Sequence, residues 1–569
     1  MLVRDAPAAS LSTHASRREI LLAAIFAVAV TVIMLYPLSL HPGSLGRADT
    51  ADGQFNIWNV TWVARTIAVD PAHLFDANIF YPHRGTLAYS EANLGAGLLA
   101  VPGYWLTRSP YVAYNSAAIL MFMLTVLATW ALVRHLTGSP GAAAVSAICF
   151  AFCPYIFSKT AEVQLMMTAG FPATMLVFHR FVDRPAMGRA VVLGLAIAAT
   201  GLFCAYYGTF DGLMVAWAAL LVSATRGLWR SLRYWLLLAT GAAVSVLGVL
   251  PFFLPYLSLE QTNHFSRAFE DSLQWSANWP SYVASGARAD QWMLAHLHGW
   301  TDVLFPGGVV IVLATLGVAA ALRRPDARLL GRPRPRSRSR EVALLYGSIA
   351  ILAAWLSFGP RGGLYMIPYK LLPWIFALLR APSRFGVLVV FALAVLAGLG
   401  VAALQQWAGR PRFVAVVACV AALLDLSVVL PVTAAVPIPA GYQALAQLPP
   451  GPLLELPIFW RPLDRPRNSI YMLFSTETGW RPIVGGYSDY TPPDYETLPR
   501  ILSEFPTPES FARLKALDVH YVVFHPGLYY SQAGLAAVRD RLTQFAPYLR
   551  AIRTDQDLWV YEITAWPHD

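Results

Sequence analysis

Two carboxylates three residues apart, Asp49 and Asp52, stand in the stretch RADTADGQFNIWN, which begins at Arg47 after a long apolar run. Paired acids at a membrane boundary can bind a divalent cation or take a proton from an alcohol. The same spacing suits the start of a helix, where Asp49 would cap the first turn and Asp52 would face its free N–H groups. Spacing alone favours the capping role, so the surroundings must decide between the two interpretations.

A pair of arginines later in the chain could complement those acids. Arg380 and Arg384 lie four apart in LLRAPSRFGVL, on either side of Pro382. Cations are needed wherever negative charge develops on a leaving phosphate. The alternative is that both side chains reach lipid headgroups as interface anchors. The interrupting proline leaves a phosphate-binding role open for this pair.

Further charged side chains could line the same site. The candidates are Arg84 and Glu91 in the connection that holds the two aspartates, Lys159 and Glu162 in SKTAEVQ, and Asp211 in YYGTFDG. Ionisable groups near a membrane are costly to bury, so they often mark a functional site. They can equally pair with one another or lie in water. We therefore treat all five as candidate substrate- or phosphate-binding residues.

The composition indicates a polytopic α-helical membrane protein, because 57% of the 569 residues are hydrophobic and only 13% are charged. Apolar runs predict about eleven transmembrane helices. They lie near 20–40, 111–133, 141–157, 163–180, 190–206, 208–225, 234–257, 303–322, 341–357, 385–408 and 413–432. The four cysteines all fall in such runs, which is typical of small buried side chains and not of a disulfide framework.

The net charge of +10 belongs to the membrane part and not to a nucleic-acid site. Residues 433–569 carry 11 basic and 14 acidic side chains, so the positive excess lies in residues 1–432. With a cytoplasmic N-terminus, nearly every arginine cluster, including the run from Arg323 to Arg340, lies inside, as the positive-inside rule demands. Residues 41–110, 258–302 and 358–384 and the C-terminal tail are then external. We expect no nucleic-acid partner.

Two soluble parts are predicted around this membrane module. In the long first external loop, 41–110, Phe55, Trp58 and Trp62 recur at helical spacing, which predicts a helix along the membrane surface with its aromatic side chains in the interface. Ser90 to Leu106 predicts a second helix, too short to span. Residues 433–569 lose the apolar runs and predict an external soluble α/β domain. Its GGYSDYTPPDY segment is either a sugar-stacking loop or a packed loop that closes the domain onto the membrane part.

Several short motifs together resemble the GT-C class of membrane glycosyltransferases, of the bacterial type with an external C-terminal domain. They are DGQFNIWN, IFYPHRG, LLRAPSRFGVL and ELPIFW followed by GWRPIVGGYSDYTPPDY. In that class the first external loop carries an acidic residue or pair and two interface helices. The resemblance covers most of the chain in layout, although each motif is short. No motif for nucleotide binding, for a nucleophilic serine or for zinc hydrolysis accompanies them.

The resemblance implies transfer of a sugar from a polyprenyl-phosphate-linked donor to a saccharide, lipid or protein acceptor at the outer face of the bacterial cytoplasmic membrane. Asp52 or Asp49 would act as base, the reaction would invert the anomeric centre, and the two aspartates are open to a Mg²⁺ or Mn²⁺ ion. No nucleotide or redox cofactor is expected, and membrane lipids are the other partners. The alternative is a lipid or saccharide transporter or flippase that breaks no bond, for which broken-helix repeats would be expected.

Overall fold

The structure, a computed structural model, describes residues 15–263, 269–323, 338–376 and 379–567. Most of the predicted arginine run from Arg323 to Arg340 therefore lies outside the described residues. The described residues up to Asp425 are mostly helical. Their bounds are α1 Arg17–Met34, α2 Ala51–Val69, α3 Leu94–Thr107, α4 Pro110–Thr137, α5 Pro140–Ala151, α6 Pro154–Ser158, α7 Gly170–Asp183, α8 Met187–Phe203, α9 Ala205–Arg226, α10 Leu232–Asn263, α11 Phe269–Gln274, α12 Gln291–His296, α13 Gly308–Arg323, α14 Arg338–Ser357, α15 Met366–Leu371, α16 Pro373–Phe376, α17 Gly386–Ala408 and α18 Pro411–Asp425.

Six helices in the described part of the chain are long and apolar enough to cross a membrane. They are α4 (Pro110–Thr137), α5 together with α6 (Pro140–Ser158), α9 (Ala205–Arg226), α10 as far as Leu259 (Leu232–Leu259), α14 (Arg338–Ser357) and α17 with the short turn before it (Pro382–Ala408). Three further apolar helices, α3, α8 and α13, are shorter. The membrane character of the chain is thus supported, whereas the predicted count of eleven spans is not confirmed. One physical reason is that runs predicted at 163–180 and 413–432 form helices of only 14 and 15 residues, α7 and α18.

Helix α17 forms the centre of the bundle and is buried along nearly its whole length. It packs against α13 where both helices carry glycine: a Cβ atom on Gly317 would lie 2.2 Å from the carbonyl oxygen of Leu396, and one on Gly400 would lie 2.0 Å from that of Leu313. Small residues let helix backbones approach closely where lipid provides no hydrophobic driving force. This close packing holds the segment that precedes α17, which contains Arg384.

The carboxy-terminal region, residues 433–567, contains a four-stranded sheet of order β3-β4-β6-β5. Strands β3 and β4 are parallel, and the other neighbours are antiparallel. The strands of this sheet are β3 Leu453–Leu456, β4 Tyr521–Phe524, β5 Leu549–Thr554 and β6 Trp559–Ile563. Two further strands, β1 Leu45–Gly46 and β2 Thr433–Ala434, form a separate pair. The helices are α19 Gly441–Ala446, α20 Ser469–Phe474, α21 Thr497–Leu502, α22 Pro508–Ala516 and α23 Gln532–Gln544. Residues 433–567 thus contain both helices and strands, as predicted. The predicted domain boundary at residue 432 stays a prediction.

The long connection between α1 and α4 packs directly against the carboxy-terminal region. Strand β1 pairs with β2, and the backbone N–H groups of Phe80 and Tyr81 donate to the carbonyl oxygens of Gly485 and Ile483 at 3.1 and 3.0 Å. Asn78 is buried between the two parts and donates to Ser475 at 3.0 Å. These contacts join segments some 400 positions apart in sequence, and they bring the loop around residue 487 over the start of α2.

The predicted helix with the aromatic stripe is confirmed as α2, but its predicted orientation is wrong. Trp58 is fully buried, and Phe55 and Trp62 are nearly so. Trp62 packs on Trp480 with ring centroids 5.5 Å apart, and Phe55 packs on Tyr487 at 6.0 Å. The stripe therefore faces the carboxy-terminal region and not the lipid interface. An aromatic stripe identifies a helix that buries one face, but it does not identify what covers that face.

Candidate active site

The start of α2 separates the two aspartates into different environments. Thr50 is the N-cap residue, since its hydroxyl accepts from the backbone N–H of Gly53 at 3.1 Å. The predicted capping role of Asp49 is therefore wrong. Asp49 instead forms an ion pair with Arg47, whose Nε lies 3.0 Å from Oδ1. A Cβ atom on Gly53 would lie 1.7 Å from the carbonyl oxygen of Arg47, so the glycine after Asp52 is required for this turn.

Asp52 stands in the first turn of α2 and receives a hydrogen bond from the carboxy-terminal region. The hydroxyl of Tyr487 donates to Oδ1 of Asp52 at 2.9 Å. Burial first, and then the negative charge of Asp52, raises the pKa of Tyr487 well above its usual value. Tyr487 therefore keeps its proton and remains a donor at neutral pH. The sequence had singled out Asp52 and the GGYSDYTPPDY segment, but not the contact between Asp52 and Tyr487.

The GGYSDYTPPDY loop is packed against the first connection, as one of the two predicted alternatives proposed. The backbone N–H of Tyr490 donates to the carbonyl oxygen of Tyr89 at 2.8 Å, and the two rings stack edge to face at 4.9 Å. The same loop supplies Asp489, whose Oδ1 lies 3.6 Å from Nη1 of Arg380. The loop thus contributes both Tyr487 and Asp489 to the surroundings of Asp52.

The two arginines on either side of Pro382 form ion pairs with acids from two other segments, Arg380 with Asp489 and Arg384 with Glu162. Arg384 is buried, with its Nη2 atom 3.1 Å from Oε1 of Glu162 and its guanidinium group 4.5 Å above the ring of Tyr206. The hydroxyl of Tyr206 also accepts from the backbone N–H of Arg380 at 3.1 Å. The predicted pair therefore has fixed orientations, which two flexible headgroup anchors would not need.

The segment that carries Arg384 is held by neighbours on both sides. The backbone N–H of Ser383 donates to the carbonyl oxygen of Trp275 at 3.1 Å, and its hydroxyl donates to Asp302 at 3.0 Å. The ring of Phe385 stacks on Phe210 with centroids 3.9 Å apart. Together these contacts position the guanidinium group in a buried setting where its charge is weakly screened.

Partial burial raises the pKa of Asp52, and the neighbouring groups adjust it in both directions. Partial desolvation in the recess beneath Tyr487 raises the pKa of Asp52, although the side chain remains accessible to solvent. The Tyr487 hydrogen bond lowers the pKa, the negative charges of Glu162 and Asp489 raise it, and Arg380 lowers it. A carboxylate with a raised pKa is a stronger base and accepts a proton more readily than an ordinary aspartate.

Glu91 belongs to the same cluster but also has a structural contact. Its Oε1 accepts from the backbone N–H of Ala205 at 2.6 Å, at the start of α9. Desolvation raises the pKa of Glu91 to about 7, against the lowering effects of that hydrogen bond and of the positive charge of Arg384. Glu91 is therefore partly protonated near neutral pH and can gain or lose a proton there.

The remaining predicted site residues have other surroundings. Lys159 forms an ion pair with the buried Asp302, with Nζ 3.0 Å from Oδ1. Asp211 is fully buried inside the bundle and accepts from the hydroxyl of Thr200 at 3.2 Å. Arg84 is exposed beside the packed Phe80 segment. The substrate-binding roles of these three residues stay predictions, and none is among the residues whose charges act on Asp52.

The metal site predicted at Asp49 and Asp52 stays a prediction, and Asp49 already has a cationic partner within the chain. Both oxygens of Asp49 face Arg47, at 3.0 Å from Nε and 3.4 Å from Nη2. Within residues 15–263, 269–323, 338–376 and 379–567, no three His, Cys, Asp or Glu side chains are grouped as metal ligands. The Asp49 carboxylate is thus already neutralised by a cation of the chain itself.

No family model matches the sequence, and no curated protein matches it. Solved structures do match. Two cryo-EM classes of a mutant arabinofuranosyltransferase AftD from Mycobacteria match with a TM-score of 0.56, at 15% and 16% identity over 97% and 98% of this chain. The chain spans only 42% of the length of AftD. ArnT from Cupriavidus metallidurans bound to undecaprenyl phosphate matches at a TM-score of 0.40 and 13% identity, over 96% of this chain and 98% of ArnT.

At this level of identity the AftD match establishes the fold. The predicted resemblance to the GT-C glycosyltransferases is thereby confirmed for the fold of the chain. The match extends along both the helical part and the carboxy-terminal region, since it covers nearly all residues.

Proposed function

We propose that this chain, which has the GT-C fold, is a membrane glycosyltransferase that moves a sugar from a polyprenyl-phosphate-linked donor to an acceptor hydroxyl. The observation that carries the proposal is the cluster around Asp52. A carboxylate of raised pKa accepts a hydrogen bond from Tyr487, the charges of Arg380 and Glu162 act on it, and Glu162 pairs with Arg384. A base and a phosphate-binding cation are the two groups that transfer from a sugar phosphate requires.

In the proposed reaction the acceptor hydroxyl attacks the anomeric carbon of the donor sugar. Its proton passes to Oδ2 or Oδ1 of Asp52, and the bond between the anomeric carbon and the phosphate oxygen breaks. The electron pair of that bond leaves with polyprenyl phosphate. Arg384 and Arg380 stabilise the negative charge as it grows, because both guanidinium groups are held by carboxylates that a phosphate can displace. Direct displacement inverts the anomeric configuration.

The proposed location is the bacterial cytoplasmic membrane, with the N-terminus inside and the carboxy-terminal region in the periplasm or outside the cell. The arginine distribution of the sequence supports this orientation. The reaction then takes place at the outer face, where the acidic connection between α1 and α4 meets the carboxy-terminal region. An acceptor saccharide, lipid or protein would approach from that side.

The proposal requires no step through a metal ion, because Asp49 is paired with Arg47. EDTA is therefore expected to leave the transfer rate unchanged within about twofold, since arginine supplies the charge stabilisation. The predicted Mg²⁺ or Mn²⁺ site at Asp49 and Asp52 makes the opposite prediction. Loss of transfer on chelation, with recovery on addition of either ion, would assign that site.

Replacement of Asp52 by Asn tests the proposal. The variant keeps the size of the side chain but removes the base, which is expected to lower transfer by about 10²–10⁴-fold. Because AftD is an arabinofuranosyltransferase, a polyprenyl-phosphate arabinofuranose is the first donor to assay, by release of polyprenyl phosphate from the purified chain.

Asp70→Asn is the matched control, at the other end of α2, where Asp70 pairs with the exposed His73. It is expected to keep the wild-type rate. Wild-type turnover by Asp52→Asn would refute the assignment of the base. Movement of an intact donor across vesicle membranes, with no bond broken, would support the transporter alternative instead.

A further inference from the structure

A cavity on the amino-terminal side of Asp52 has no role in the reaction as described so far. Its volume is about 870 Å³, and it lies between the start of α2 and the carboxy-terminal region. Asp49 and Gln54 line it from the side of α2, and Arg467, Ser469 and His525 line it from the other side. Asp52 is not part of its lining. The volume lies within the range of about 300–1,000 Å³ that is usual for small-molecule sites.

The lining combines groups that accept and donate hydrogen bonds without a surplus of positive charge. Its charged side chains are Asp49, Asp557 and Arg467, and Gln54 and Gln556 add neutral amides. Recognition of phosphate depends on several converging cations, which this lining does not provide. A neutral ligand with many hydroxyl groups can donate to the carboxylates and accept from the guanidinium and amide groups.

An apolar wall completes the cavity. It is formed by the segment that follows β2 and by neighbours in the carboxy-terminal region: Val436, Pro437, Ile438, Pro439, Pro466 and Phe474. Sugar rings present C–H faces as well as hydroxyl groups, so one surface that excludes water and one that forms hydrogen bonds suit them together.

Two of the polar groups are fixed in position before any ligand binds. Arg467 lies between two aromatic rings, 4.1 Å above Phe459 and 4.5 Å from Tyr530. Its Nη2 also donates to the carbonyl oxygen of Leu528 at 3.2 Å. A guanidinium group held in this way loses little entropy when it binds a ligand.

His525 is held by a buried polar network. It is only 3% exposed, and its Nε2 lies 2.8 Å from Oε2 of Glu455, which is itself 1% exposed. The hydroxyl of Tyr442 donates to the other oxygen of Glu455 at 3.0 Å. Burying several polar groups costs free energy unless each of them finds a hydrogen-bond partner. Here the network fixes the orientation of a ring in the wall of a cavity.

We propose that this cavity binds the acceptor as a neutral, hydroxyl-rich oligosaccharide, an inference that rests on the proposed glycosyltransferase function. Asp49 lines the cavity and stands three residues before Asp52, so one acceptor can occupy the cavity and present a hydroxyl group to the base. Under this division, Asp49 and Arg467 bind the acceptor, whereas Arg380 and Arg384 bind the donor phosphate.

Gly527→Trp tests the assignment by filling the cavity. Gly527 lines it, and no heavy atom lies within 4 Å of the position that its Cβ would take, so a side chain can be added there without a clash at its Cβ atom. Ala537→Trp, on the exposed face of α23, is the matched control because Ala537 is not part of the lining. The probes are octyl glycosides of furanose and pyranose disaccharides, measured by saturation-transfer NMR on the full chain in nanodiscs.

We expect wild type and Ala537→Trp to bind at least one disaccharide and Gly527→Trp to bind it about 10–100-fold more weakly, as the loss of two or three hydrogen bonds implies. Hydrolysis of the donor by water, assayed without acceptor, is expected to be similar in wild type and Ala537→Trp. Failure of wild type to release polyprenyl phosphate from the donor while a disaccharide is bound would contradict the proposed function and leave the cavity assignment standing. The cavity assignment would be overturned if Gly527→Trp bound the disaccharide as tightly as wild type, or if wild type bound none of the disaccharides. It would also be overturned if a bound disaccharide were displaced only by phosphatidylglycerol, a lipid, and not by other sugars.

Discussion

Removal of one hydroxyl group, in Tyr487→Phe, should move the acidic limb of the pH–rate profile to higher pH. The hydroxyl donates to Asp52 at 2.9 Å and lowers the pKa of that carboxyl group. A hydrogen bond to a charged group contributes about 1.5–3 kcal/mol, and access of water to Asp52 reduces this to about 1 kcal/mol. Since one pKa unit corresponds to about 1.36 kcal/mol, the expected shift is about 0.5–1 unit upward.

The direction of the pKa shift depends on which protonation state of Asp52 the hydrogen bond from Tyr487 stabilises. Tyr487 stabilises ionised Asp52, so the variant needs a higher pH to ionise the base. Transfer at a pH on the acidic limb should fall by about three- to tenfold, and transfer on the plateau above it should change little. The assay is the initial rate of polyprenyl phosphate release at saturating donor, measured in half-unit steps of pH.

Two companion variants sharpen this test. Asp489→Asn removes a negative charge that raises the pKa of Asp52, so its acidic limb should move to lower pH. Tyr490→Phe keeps the ring packed on Tyr89 and serves as the control with an unshifted limb. A Tyr487→Phe limb at or below the wild-type position, or equal shifts in all three variants, would refute the assignment of Asp52 as the titrating base.

Three further predictions concern the surroundings of the site. Glu91 has a pKa of about 7 in the folded chain, so its contribution to stability is complete below pH 4.5 and is lost as pH rises through 7. Glu91→Gln should therefore narrow the difference in Tm between pH 5 and pH 8, and an unchanged difference would contradict the raised pKa of Glu91. Lys159→Met leaves Asp302 buried without its cation and should lower the free energy of unfolding by about 3–5 kcal/mol, and a second change, Asp302→Asn, should restore the Tm. A loss of donor affinity without a change in Tm would instead support the predicted phosphate-binding role of Lys159. Arg384→Lys replaces the guanidinium group that contacts Glu162 and should raise the KM for the donor about tenfold while the KM for the acceptor is unchanged. Equal increases in the two KM values would argue against a donor-phosphate role for Arg384.

The sequence was sufficient for features that depend on local composition. Apolar runs predicted a helical membrane part, and the GT-C resemblance was confirmed for the fold. Helical spacing predicted α2, and charge and proline placement singled out Arg380 and Arg384. The count of eleven spans could not be obtained in this way, because apolar runs of similar composition form both long helices and short buried ones such as α7.

What the sequence by itself determined was therefore the class of protein and a set of acids and arginines able to do chemistry. Tertiary structure alone decided their partners: Thr50 and not Asp49 caps α2, Asp49 pairs with Arg47, and Tyr487 donates to Asp52 across 435 positions of sequence. The physical reason is range. Helix formation depends on residues three or four apart, whereas hydrogen bonds, ion pairs and desolvation depend on distances that only the packed chain defines.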